Sequence, residues 1–311
     1  MHFTETTYTI PDGYDLTAQV PKSTLMVQIM TAVVLILALI ALFIFVGKKY
    51  KISIYAIFGG LALYILFFYY VPNITPILYY IPPFSVFSDS IVVGIVVVII
   101  SAVLGILGRM LYMKLFQSAG NTMSFHASTA IGFAGAFAVY LAFSSVMDYV
   151  NCYTVDAEGL ETTLLSLTSS ATSQEGYEST VASFYTYITN GTGVYVFRLL
   201  EYVILMVYHV AITVPLLAAY TDKESKGWYG FAMGTYSLMM VMRGLRSVGL
   251  VHGAVSTIVM AADLGITLYF AVKMFKDYYE NEEEPEKKGG FGPRKEEPKK
   301  KMPKFGNLSD L

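Results

Sequence analysis

The chain has 311 residues, of which 55% are hydrophobic and only 14% charged, and its mean hydropathy is +0.55. These values exclude an ordinary soluble domain; the apolar sequence suffices for about seven spans of about 20 residues each, with too little polar remainder for a separate folded domain. The net charge of −2 names no partner, and a single cysteine, Cys152, excludes an internal disulfide and a metal centre built on several thiolates.

Met1 to Ser23 is polar, with Pro11, Asp12 and Gly13 as turn formers, and lacks the basic start and apolar core of a secretory signal. It reads as an extracytoplasmic segment (residues 1–23) ahead of a transmembrane bundle over residues 24–276. The first span is expected from Thr24 to Val46 and ends at the basic turn Gly47-Lys48-Lys49-Tyr50-Lys51; the second follows from Ile52 to Val71. A short basic turn between spans stays in the cytoplasm. Pro72 to Ser90 holds Pro72, Pro76, Pro82 and Pro83 among aromatic residues and no Lys or Arg, the composition of an outer interfacial loop.

Span three, Ile91 to Leu111, carries Arg109 and then Lys114 at its inner end, and span four runs from Phe125 to Val150. The stretch from 151 to 193 is rich in Ser and Thr, contains Asp156, Glu158, Glu161, Glu175 and Glu178, and has no basic residue, so it is expected as an outer loop. Its triplet Asn190-Gly191-Thr192 fits a glycosylation acceptor, a short pattern that matters only in a eukaryotic secretory route. Span five, Val194 to Tyr220, returns inward to a loop from Thr221 to Lys226. Span six runs from Trp228 to Val248 and span seven from Val251 to Met274, closed by Lys273 and Lys276. Residues 277–311 mix acidic and basic clusters with Gly and Pro, the composition of a disordered cytoplasmic tail. The fold class is therefore all-α, a polytopic bundle of about seven helices in the cell membrane, N-terminus outside and C-terminus inside. Lysine and arginine follow this topology at every loop except the one beside Arg243 and Arg246. They leave no basic patch for nucleic acid.

Span five departs from a plain anchor, because Arg198, Glu201 and His209 lie inside it. A charge at the centre of a spanning helix costs at least about 2.5 kcal/mol, so such groups face a packed interior or a wet cavity. Arg198, Glu201, Leu205, His209 and Ile212 follow steps of three and four and share one helical stripe. With about 1.5 Å of rise per residue, Glu201 falls roughly 10 Å below the outer end of span five and Arg243 roughly 8 Å below that of span six. His209 and Asp263 both fall near mid-membrane. Two internal pairs are expected: Glu201 with Arg243, with Arg198 able to take part instead, and His209 with Asp263. Such contacts also serve simply to hold helices together.

The same residues make a poor metal site. Zinc takes about four donors at ~2.0–2.3 Å, whereas Glu201 and His209 stand about 12 Å apart along one helix. His126 belongs near the inner end of span four and His252 in an outer turn. No H-E-x-x-H pair is present to supply ligands and a base.

The run Glu201-Tyr202-Val203-Ile204-Leu205-Met206-Val207-Tyr208-His209-Val210-Ala211-Ile212-Thr213-Val214 resembles the E-R-x-x-A-x-x-x-H-x-A-L-S-V segment of the YhfC-type intramembrane metallopeptidases. Lys49-Tyr50-Lys51-Ile52-Ser53 and Gly108-Arg109 are similar to that family's stretches at spans two and three. The resemblance implies a seven-span scaffold with zinc. The chain departs from it where the chemistry lies. A Glu-Glu pair before Gly-Arg is replaced by Gly105 and Ile106, and Tyr202 stands for the arginine after the glutamate. The G-x-G-H-G-G-x-E pattern reads Ala130-Ile131-Gly132-Phe133-Ala134-Gly135-Ala136-Phe137, so Phe133 and Phe137 stand where the ligand and the base are expected. A further histidine of span six aligns loosely with Arg243. His209 is the one ligand that would remain if the family site persists.

Three functions follow as expectations. The first is a non-catalytic binding or scaffold protein without a cofactor, its partners the lipid bilayer and another membrane protein, with Phe133 and Phe137 filling the volume of the lost ion. The second is an active zinc peptidase. The third is a small-solute or ion carrier with His209 and Asp263 as a relay, although no internal repeat supports it and Pro215 is the only proline deep in a span. Gly105, Gly108, Gly132 and Gly135 lack the strand-turn-helix setting of a phosphate loop and read as helix contact points.

Overall fold

Long apolar runs without water must satisfy their own backbone, and the helix is the local solution. The computed structural model describes residues 9–82, 90–115, 123–166, 173–221 and 225–278, and among them every regular element is helical. In chain order these are α1 (Lys22–Lys49), α2 (Ile54–Leu63), a π-helical stretch (Tyr64–Tyr70), α3 (Val71–Ile74), a 3-10 helix (Thr75–Tyr80), α4 (Ile91–Leu115), α5 (Met123–Glu158), α6 (Leu160–Ser166), α7 (Gln174–Thr189), α8 (Thr192–Ala211), α9 (Thr213–Thr221), α10 (Gly227–Ser247) and α11 (Gly253–Tyr278). Among the described residues, six stretches are long and apolar enough to cross a membrane: Lys22–Lys48, Ile54–Ile74, Ile91–Leu115, Met123–Glu158, Thr192–Thr221 and Gly253–Lys276. The expected sixth span, α10, is as long as the others require but is not among them; Arg243, Arg246 and its Gly, Ser, Thr and Tyr residues lower its hydropathy. The tail expected to be disordered lies, past residue 278, outside the described residues.

The chain divides into two compact units. One comprises 1–37 and 139–200, and here the structure corrects the reading of 151–193 as a loop. Helix α5 runs on to Glu158; Gly159, at φ 87°, turns the chain into α6, and Ser173 caps α7 by accepting the Gly176 amide at 3.1 Å. Leu160, Leu164, Tyr177, Val181 and Ile188 pack with Val20, Cys152 and Val155, and Ile10, Tyr14 and Leu16 of the N-terminal segment cover them. Polar composition hid a small folded core. Cys152 is buried, with the Gln28 amide donating to its sulfur at 3.3 Å, so it is a packed thiol. Thr192 of the glycosylation triplet has its hydroxyl hydrogen-bonded to Ser23 at 2.7 Å and to Thr24 at 3.1 Å.

The other unit comprises 38–138 and 201–311. Ser53 caps α2, accepting the Ala56 amide at 3.4 Å, while its own amide donates to Ser128 of α5 at 3.1 Å. The two helices cross where Gly60 meets Gly132. A Cβ on Gly60 would overlap the Thr129 carbonyl and the Phe133 amide, and one on Gly132 would overlap the Ile57 carbonyl. Only glycine permits this backbone approach. Gly105 and Gly108 receive the rings of Phe68 and Phe67, whereas Gly135 has only ordinary contact with Leu39. Pro72, which has no amide to offer the Phe68 carbonyl, follows the widened π turns, and the helix continues to Tyr80 where an irregular outer loop was expected.

Helices α9, α10 and α11 pack around Val214, Leu217, Ala218, Trp228, Ala271 and Met274. Trp228, Phe231 and Phe270 close that end, their ring centroids 5.1 to 5.6 Å apart. Pro215 explains the break between α8 and α9, since it cannot donate to Ala211 one turn back.

Candidate functional site

His209 sits at the end of α8, just before that break, and is 1% exposed. Five aromatic rings surround it: Phe133 at 4.5 Å between centroids, Phe68 and Tyr236 at 5.2 Å, Phe137 at 5.6 Å and Tyr208 at 5.7 Å. Phe133 and Phe137 are one turn apart on α5 and both buried. The π winding of Tyr64–Tyr70 precedes Pro72 and presents Phe68, whose ring reaches Phe133 at 4.5 Å as well as His209. The imidazole Nδ1 has no hydrogen-bond partner among the described residues.

Arg109 of α4 stands on the backbone side of the same histidine. Its Nη2 donates to the His209 carbonyl at 3.0 Å and to the Thr213 hydroxyl at 3.2 Å, and its guanidinium lies 5.0 Å from the Phe133 ring centre. The arginine therefore satisfies a carbonyl beside the helix break and holds α4 against it. From the sequence Arg109 carries a topological role and a place in the Gly108-Arg109 resemblance, but no partner. Its place six residues inside the end of α4 was the available signal.

The expected carboxylate pair forms with a different cation. Glu201 is fully buried; its Oε1 lies 3.0 Å from Nε of Arg246 and accepts a hydrogen bond from Ser256 at 2.9 Å. Arg243, the expected partner, instead lies over the Tyr202 ring at 5.4 Å. Three residues along α10 decide this, because they turn the side chain by roughly 60° around the helix. Arg198 belongs to the other unit and pairs with Asp148 at 3.2 Å, cation over the Tyr195 ring at 5.2 Å. Asp263 is 5% exposed and makes no hydrogen bond through Oδ2 among the described residues, so the expected hydrogen-bonded pair with His209 does not form through that oxygen.

Zinc, which the resemblance implies, is not matched by these side chains. Among the described residues no three His, Cys, Asp or Glu side chains gather into a group that could hold a metal ion. Around His209 stand aromatic rings where about four N, O or S donors are needed. His126 is buried, with Nε2 unpartnered among the described residues, and His252 lies in the turn before α11, where its Nδ1 accepts the Ala254 amide at 3.2 Å.

Compared with protein-family models, curated proteins and solved structures, the chain matches none. The fold and its six apolar helices fit the class of multi-pass, all-helical membrane proteins.

Proposed function

We propose that this chain is a seven-span membrane protein, N-terminus outside, on a YhfC-like scaffold that has exchanged its metal chemistry for packing. It acts by binding another membrane segment or protein. The observation that carries this reading is the aromatic enclosure of His209: Phe133 and Phe137, at the positions where the resemblance places a ligand and a base, lie 4.5 and 5.6 Å from the imidazole centre. Packed rings exclude both a hydrated ion and the water it would activate. Glu201 supports it too, since it is neutralised by Arg246 and bonded by Ser256 and is not held ready as a base.

Zinc content and proteolysis test the proposal together. The purified wild-type chain is expected to hold zinc well below one ion per chain, and the double variant Phe133→His with Phe137→Glu to gain it, because the new donors would lie beside His209. One zinc per wild-type chain, lost together with cleavage of a membrane-segment peptide on His209→Ala, would establish the active peptidase instead.

A further inference from the structure

Glu201 and Ser256 fix the register of α8 against α11 by their 2.9 Å hydrogen bond. Seven residues further along each helix, close to two full turns, stand Tyr208 and Asp263. The helical repeat places them at the same level, and the Asp263 carboxylate interacts electrostatically with Tyr208. That hydroxyl bonds the Ala232 carbonyl at 3.1 Å and the Thr235 hydroxyl at 2.8 Å, both on α10. One turn beyond Asp263, Thr267 is fully buried and its Oγ1 has no hydrogen-bond partner among the described residues, as is true of Asp263 Oδ2. A threonine inside a helix ordinarily bonds back to the carbonyl four residues earlier; here two orphan oxygens stand side by side on one buried stripe.

Asp263 is ten residues into α11, about 15 Å along its axis and near the middle of a ~30 Å hydrocarbon layer. The ion pairs Arg198 with Asp148 and Arg246 with Glu201 are made elsewhere and bring no cation to it. A buried carboxylate with an unsatisfied oxygen costs several kcal/mol unless something compensates it. We propose that Asp263, Thr267 and the Tyr208–Thr235 hydroxyl pair form a binding site for a dehydrated alkali cation, sodium in the first instance. The donors are all oxygen, which selects hard cations, and one carboxylate balances one positive charge and leaves a divalent ion uncompensated. This site shares the Tyr208 ring with the surroundings of His209 but takes no donor from the imidazole, and it does not rest on the loss of zinc there.

The test is thermal melting of the full chain in detergent, with sodium chloride replaced stepwise by choline chloride at constant ionic strength and pH. A ligand bound only by the folded state raises the melting temperature as its concentration rises. The expected result is a saturable rise with sodium, abolished in Asp263→Asn and moved to roughly tenfold higher sodium in Thr267→Val. Should Asp263→Asn fail to fold, the wild-type titration and Thr267→Val decide between the outcomes. Equal melting in sodium and choline overturns the site, as does a response that follows pH without sodium or one that both variants retain in full.

Discussion

Glu201 shows how one buried charge organises its neighbours. It is fully enclosed, and Arg246 at 3.0 Å and Ser256 at 2.9 Å meet it from α10 and α11. Arg246→Ala leaves the carboxylate buried without its cation and is expected to cost about 3–5 kcal/mol. Arg243→Ala removes a cation over Tyr202 and is expected to cost about 0.5–1 kcal/mol. Melting of the two variants in the same detergent checks the order, and a larger loss at Arg243 would return the carboxylate to that residue. The sequence made Glu201 legible, because a glutamate inside a span needs a partner and the out-of-place arginines beside Val248 advertise one. It could not choose between Arg243 and Arg246, since both lie at workable depths and only the rotation of α10 separates them. Arg109 was less legible still: its main partner is a backbone carbonyl, which no side-chain pattern marks.

At the scale of elements, backbone contact between α2 and α5 is what permits the aromatic enclosure. Gly60 and Gly132 let the helices touch, and Phe133, the residue after Gly132, is thereby set against Phe68 and His209. Gly132→Ala is expected to destabilise the protein by about 1–3 kcal/mol, because the added methyl meets the Ile57 carbonyl and backbone cannot rotate away as a side chain can. Gly135→Ala, facing only the Leu39 methyls at 3.5 Å or more, is the control that should change melting little. The value of the glycines as contact points was readable from their setting in an apolar helix. Which of them touched backbone was not. Helix α7 was readable and missed: Tyr177, Val181, Phe184 and Ile188 recur at helical spacing beneath the Ser/Thr composition, and all four pack into the core there.

Across the molecule the open quantity is the number of crossings, and α10 decides it. Hydropathy admits six helices and leaves α10 out. Its packing argues the other way. At its start Trp228 packs with Ala218 of α9 and Met274 of α11, near the ends of those helices, and at its finish Arg246 meets Glu201 of α8. Helices α8 and α9 in succession run alongside α11 in the same direction, from Glu201 and Ser256 at one level to Ala218 and Met274 at the other. A chain that makes two parallel passes must return between them. The 21 residues of α10, about 31 Å long, are enough for the ~30 Å crossing. In such a crossing its charges would be compensated, since one is paired with Glu201 and the other covers an aromatic ring. Seven crossings place the two ends on opposite sides, six on the same side. Asp12→Cys and Lys276→Cys, both at exposed positions, read this out in intact cells with a membrane-impermeant maleimide, and buried Cys152 keeps the background low. The expected result is labelling at position 12 and protection at 276 until the membrane is opened. Labelling of both or neither in intact cells would remove α10 from the membrane.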